Sequence, residues 1–180
     1  MQGIAAKLFR SDTHSFSKYE EPRLTLITGI GIDGDAHSGA FVKHRWDAER
    51  EPKQPNLRQV HLLAAEALAE LIPLGYEVPA GALGENISTQ GLNLINLPLH
   101  CELAIGDEVR LRVNGLRSPC KHIENYQTGL LKHMISKGAN GEAVRKTGIM
   151  TNVVQGGVIE AGAPIVVHMP DGPHEKLPVL

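Results

Sequence analysis

Val109-Arg110-Leu111-Arg112-Val113-Asn114 alternates apolar and polar residues with a period of two. Successive side chains of a strand point to opposite faces, so Val109, Leu111 and Val113 face a core and the polar three face away. Gly3 to Phe9, Arg23 to Thr28 and Ile165 to His168 are further strand candidates. Leu103 to Val109, turning at Gly106-Asp107, and Ile159 to Ile165, turning at Gly162, share an apolar residue, a glycine turn and a strand. That likeness is too slight for a repeat. Short strands broken by glycine turns, with few helices, predict a mainly β fold of the small-barrel kind.

Two helices are predicted beside the strands. From Gln59 to Leu71 the residues Val60, Leu63, Ala64, Ala67, Leu68 and Leu71 recur at helical spacing, with Pro73 and Gly75 as stop signals. A second helix is predicted from Pro119 to about Lys137, with Ser118 as its cap, Pro119 in its first position and Gly138 at its end.

With 42% hydrophobic and 21% charged residues, the 180-residue chain has the balance of one globular domain. That domain is assigned to residues 1–169. Residues 170–180, with three prolines and a glycine, are expected to form a loosely held tail. His44 to Asn56 is rich in charge and proline and is expected to be an exposed loop. The net charge of −2 supplies no basic field for nucleic acid or an anionic membrane, so any anion site must be a local pocket. No stretch reaches the roughly 20 apolar residues of a membrane span. Met1 to Arg10 lacks a signal-peptide core, and a cytoplasmic location is expected.

Two cysteines are too few for a disulfide framework and show no CxxC spacing. Cys120 lies in Arg117-Ser118-Pro119-Cys120-Lys121-His122, at the predicted start of the second helix, where free N–H groups and nearby cations favour an anion. A cysteine so placed is a candidate thiolate nucleophile or soft-metal ligand, or else a thiol packed under the helix. Cys101, beside Glu102 and an apolar turn, reads as structural.

Other segments carry weaker signals. Gly29, Gly31 and Gly34 meet the G-x-G-x-x-G spacing, but no helical pattern follows Gly34, so the match is read as chance. Asp35 and His37 suit a hard metal or a proton-transfer pair, or an ordinary aspartate turn. Asn56 is a candidate helix cap. Arg58 could clamp a phosphate at that helix start, a solvated arginine being the plainer alternative. Glu85 and Asn86 follow a Gly81–Gly84 turn into a short strand. The nine histidines show no H-E-x-x-H spacing, and no G-x-S-x-G elbow exists.

Five of these segments, in order, resemble the MOSC family, named after the C-terminal domain of molybdenum cofactor sulfurase. They are Gly34-Asp35-Ala36-His37-Ser38-Gly39, Asn56-Leu57-Arg58-Gln59-Val60-His61, Gly84-Glu85-Asn86-Ile87, Ile105-Gly106-Asp107 and Arg117-Ser118-Pro119-Cys120. The resemblance spans about residues 3 to 168 and implies a β-barrel-like MOSC fold with a few peripheral helices. It implies that Cys120 matches the family cysteine, which carries a persulfide or ligates molybdenum through its thiolate. The terminal phosphate of molybdopterin makes Arg58, Arg117 and Lys121 its expected anchors, helped by N–H groups of the glycine turns. Asn56, Asp35, His37, Glu85 and Asn86 match family motif positions as cofactor-binding candidates without individual contacts.

The chain has no room for the pyridoxal-phosphate sulfurase domain and no PLP-lysine signature, so PLP is not expected. Small stand-alone bacterial members are linked to reducing N-hydroxylated compounds such as hydroxylaminopurines. The resemblance therefore implies a molybdenum-cofactor reductase of a small-molecule substrate, fed by a separate electron-donor protein. The rivals are a sulfur-carrier or cofactor-handling module and, more remotely, a zinc or magnesium hydrolase using Asp35, His37 and His61.

Overall fold

The computed structural model describes residues 1–42 and 53–180. Residues 44–52 of the loop expected over His44–Asn56 lie outside the described residues. The strands are β1 (Gln2–Arg10), β2 (Tyr19–Glu21), β3 (Arg23–Ile27), β4 (Gly31–Ile32), β5 (Val60–Ala64), β6 (Ile87–Gln90) and β7 (Glu102–Ile105). They continue as β8 (Val109–Leu116), β9 (Ile135–Lys137), β10 (Ala143–Arg145), β11 (Ile149–Gln155), β12 (Gly157–Glu160) and β13 (Ala163–His168). Among the described residues two short helices, α1 (Ala65–Ala69) and α2 (Lys121–Tyr126), accompany them. The strands predicted over 3–9, 23–28, 109–114 and 165–168 are all present.

Seven strands close a barrel in the order β13-β7-β8-β11-β5-β6-β1, with β1 returning to β13. Every pairing is antiparallel except β5 with β6. β2 extends β1, β12-β3-β4 form a small sheet, and β9-β10 form a hairpin. The barrel is filled by Val60, Leu62, Leu103, Leu111, Val113, Ile149 and Ile165 among others. The outward residues Arg110 and Arg112 are exposed and mark the alternation of β8, whereas Asn114, expected to face away as well, is buried and donates its Nδ2 to the Leu57 carbonyl at 2.8 Å.

The helix predicted over Gln59–Leu71 is a strand in its first half and a helix only from Ala65 to Ala69. A second apolar cluster explains the misreading. Leu63, Leu68, Leu71, Leu83, Ile123, Leu130 and Met134 pack outside the barrel. β5 therefore has Val60 and Leu62 in the barrel and Leu63 in the outer cluster. Buried on both faces, it reads as an unbroken apolar run, which fits helix and strand patterns alike.

The helix predicted over Pro119–Lys137 is likewise divided. α2 has six residues, a 3₁₀ turn covers Leu131–Met134, and β9 follows. Cys120, not Ser118, occupies its N-cap position, and it makes no side-chain cap bond.

Some of the final residues contact β8 and the barrel core. Leu116 N–H donates to the Pro178 carbonyl at 2.7 Å, and Leu180 N–H returns to the Leu116 carbonyl at 3.0 Å. Leu177 joins the barrel core. Gly115 permits this docking, since a Cβ there would lie 2.7 Å from the Pro178 carbonyl oxygen.

Candidate functional site

Strand register places the candidate residues along one rim of the barrel. Leu116 of β8 opposes Ile149 of β11, Ile149 opposes Leu62 of β5, Leu62 opposes Ile87 of β6, and Ile87 opposes Leu8 of β1. Arg117, Thr147, His61, Asn86 and the chain leaving β1 adjoin this row. Arg117 is fixed by its backbone: its N–H donates to the Gly148 carbonyl at 3.0 Å, and Thr147 Oγ1 donates to its carbonyl at 2.6 Å.

Asn86 ties three elements together. Its Oδ1 accepts from His61 N–H at 3.1 Å, and its Nδ2 donates to the Phe9 carbonyl at 3.2 Å and to Asp35 Oδ2 at 3.0 Å. Asp35 Oδ2 also receives Lys18 Nζ at 2.7 Å. Its Oδ1 receives the His37 backbone N–H at 2.9 Å and lies 3.3 Å from His37 Nδ1. Burial disfavours the Asp35 charge, but the His37 hydrogen bond and the Lys18 cation outweigh it and hold the carboxyl well below the usual range. Burial also lowers Lys18, more than Asp35 restores.

Glu85 is buried, and its Oε1 accepts from Gly81 N–H at 2.6 Å. Burial pushes its carboxyl up, against the hydrogen bonds from the Gly81–Glu85 backbone and the charge of Arg117. The Arg117 guanidinium is lowered by burial and supported by Cys120 and Glu85. His61 is held neutral, pushed down to about 3 by burial and then by Arg117, while its Nε2 lies 2.8 Å from the Thr147 carbonyl. Two polar atoms here, Arg117 Nη1 and Glu85 Oε2, are sealed from solvent without a hydrogen-bond partner among the described residues.

Asp35, His37, Glu85, Asn86, Arg117 and Cys120 thus gather around one rim, with Cys120 half-buried at the start of α2. The remaining sequence candidates take other places. Asn56 caps no helix; its Nδ2 donates to the His37 and Gly39 carbonyls, and its Oδ1 accepts from Arg58 N–H. It staples the loop that carries His37. Arg58 is half-exposed on the segment entering β5, and Lys121 is exposed in the first position of α2.

Sequence reasoning missed Lys18, a lone lysine with no motif around it, and Thr147. The hydrolase trio also fails to form a donor set. Asp35 is engaged by Lys18, His61 faces Thr147, and no three His, Cys, Asp or Glu side chains among the described residues are grouped as a metal site needs.

An open cleft of about 450 Å³ adjoins the rim between residues 15–19 and α2. Phe16 stands in it, with its ring centroid 5.9 Å from that of His122 and 6.0 Å from that of Tyr126. The Arg117 guanidinium carbon is 6.0 Å from the Phe16 centroid. No helix among the described residues is long and apolar enough to cross a membrane.

The MOSC domain family model matches residues 35–166. The chain belongs to the MOSC domain family. MOSC domains are generally associated with molybdenum cofactor binding. No curated protein matches the sequence. Among solved structures the MOSC fold seen here is similar to that of the YuaD protein of Bacillus subtilis, at 24% identity and a TM-score of 0.77, covering 95% of this chain and 98% of that one. YiiM from Geobacillus stearothermophilus is 19% identical with a TM-score of 0.68, covering 98% of this chain and 80% of its own. YiiM from Escherichia coli is 19% identical with a TM-score of 0.63, covering 97% and 73%.

Proposed function

We propose that this MOSC protein binds the molybdenum cofactor in its molybdopterin form and reduces N-hydroxylated small molecules, with the Cys120 thiolate as the protein ligand to molybdenum. The observation that carries the reading is the guanidinium of Arg117, which has a sealed and unpartnered Nη1 and a charge interaction with Cys120. A buried donor left unmade costs on the order of 1–3 kcal/mol, and an anionic group bound beside it removes that cost. The rim therefore fits an anionic cofactor held next to a thiol.

Arg117 is the inner anchor, and Lys121 and Arg58 serve a phosphate from more exposed positions. Asp35, with Lys18 and Asn86, braces the rim, and Asn56 holds the loop of His37. Burial pushes the Glu85 carboxyl up, against the Gly81 hydrogen bond and the charge of Arg117. When bound, the cofactor supplies two-electron oxygen-atom chemistry. The net reaction takes two electrons and two protons, breaks the N–O bond of R–NH–OH, and yields R–NH₂ and water. The electrons come from a separate electron-donor protein.

The test is reduction of an N-hydroxylated substrate by cofactor-loaded protein with an artificial electron donor. Cys120→Ser is expected to abolish turnover, and full activity in that variant rejects the ligand role. Absent turnover in the unmodified protein, with one extra sulfur on Cys120 by intact mass, favours the sulfur-carrier reading instead.

A further inference from the structure

We infer that residues 177–180 form a positioning strap for the Cys120 loop, holding Arg117-Ser118-Pro119-Cys120 from the side away from β11. That a bound cofactor gains from this hold rests on the proposed function; the strap itself rests on the geometry.

β8 loses one of its two neighbours before it ends. Its pairing on the β7 side stops at Val113, whose N–H donates to the Cys101 carbonyl and whose carbonyl accepts from His100 N–H, both at 2.9 Å. The chain bends at His100, which lies in the left-handed region at φ 66°. Without a replacement, Leu116 would present unpaired backbone groups at a strand edge. Val179 supplies the replacement as a parallel partner of Leu116. Leu116 commits both of its backbone groups there, to Pro178 at 2.7 Å and Leu180 at 3.0 Å. Two residues on, Ser118 N–H donates to the Leu180 carbonyl at 3.3 Å. Leu177, packed in the barrel core, anchors the strap.

The run from the strap to the thiol is stiff. Arg117 is held on the β11 side by Gly148 and Thr147, so successive residues are fixed from opposite sides. Pro119 has a fixed φ and no N–H, and it restricts Ser118 to extended backbone. Ser118 therefore offers the last amide that can be anchored before that of Cys120 itself. A hold at Leu116 and Ser118 is carried to the thiol through few free torsions.

Gly115 admits the strap. A Cβ there would lie 2.7 Å from the Pro178 carbonyl oxygen and 2.8 Å from Leu180 Cγ, and its three nearest atoms all belong to the strap. The Gly115 backbone lies outside the left-handed region, so alanine suits β8 and displaces the strap alone.

The experiment compares amide exchange at Ser118 with alkylation of Cys120 by iodoacetamide in the full chain. Cys101, fully buried in the barrel core, reports opening of the barrel. Gly115→Ala is expected to speed Ser118 exchange and Cys120 alkylation about tenfold, the effect of one or two lost backbone hydrogen bonds, with Cys101 unlabelled. Removing residues 178–180 should do the same, and Gly115→Ala should add nothing in that shortened chain, because the atoms it meets are gone. Unchanged Cys120 alkylation in both variants overturns the strap. Cys101 alkylated in both at the same raised rate as Cys120 also overturns it, since the last residues then only keep the barrel closed. Protein loaded with cofactor separates the two readings. Gly115→Ala is expected to lose molybdenum faster on dialysis, and molybdenum held as firmly as in the unmodified chain overturns the strap's role. Cys120 freed by Gly115→Ala, in a chain that never takes up molybdenum, sinks the cofactor reading and leaves the strap standing.

Discussion

Lys18 Nζ lies 2.7 Å from Asp35 Oδ2, with their side chains only 3% and 0% exposed. This buried ion pair joins the chain leaving β1 to the loop of His37, and Asn86 extends it to β6. Charges so deep are stable only together, because each alone keeps its desolvation cost. Lys18→Met is therefore expected to destabilise the fold by about 3–5 kcal/mol, and Lys18→Met with Asp35→Asn by clearly less. Urea denaturation of the four proteins of this cycle checks it; a loss below about 1 kcal/mol in Lys18→Met contradicts the pairing.

His61 makes stability depend on pH. It is pushed down to about 3 in the folded chain, whereas an unfolded histidine titrates near ~6.5. Between these values the unfolded state binds one more proton, so stability falls as pH drops, by up to about 1.4 kcal/mol per pH unit from this residue. Asp35, held low, adds a further loss below about pH 4. His61→Gln is expected to flatten the slope between about pH 6 and pH 4, and an unchanged slope assigns the dependence elsewhere.

The two thiols should differ sharply. Cys101 is fully buried and pushed up to about 11 by burial and by Glu102, whereas Cys120 is half-buried at the start of α2. A thiol-specific reagent on the native protein is expected to label one site, which peptide mapping assigns to Cys120. Comparable labelling of Cys101 contradicts the packing.

The end of the chain is predicted to be held. The Leu116 and Leu180 amides should exchange slowly with solvent, and Leu177→Ala should cost about 2–3 kcal/mol. Exchange at the rate of an unstructured peptide at Leu180 would restore the loose tail.

These relationships were unequally legible in the sequence. β8 could be read because its outer face is wet, so Arg110 and Arg112 mark the alternation. β5 could not, because its outer face is covered by the second cluster and the polar half of the signal is missing. The proline-rich end pairs with Leu116, more than 60 residues away in the chain, a contact that local composition cannot register. At the site, Asp35, Asn86 and Arg117 lay in motifs that the fold brings to one rim. Lys18 had no local pattern at all; its role comes from a tertiary partner. The sequence marks Asn56 as a candidate helix cap, and the same side-chain geometry serves instead as a turn that braces the His37 loop.

On the proposed function, Cys120 and the Arg117 rim hold the molybdenum cofactor. The most direct measurement is the molybdenum and pterin content of the protein purified from a host that makes the cofactor, beside its Cys120→Ser variant. Near-stoichiometric molybdenum in the first and its loss in the second is the predicted result. Protein free of molybdenum from that host, or equal molybdenum in both, contradicts cofactor binding through Cys120.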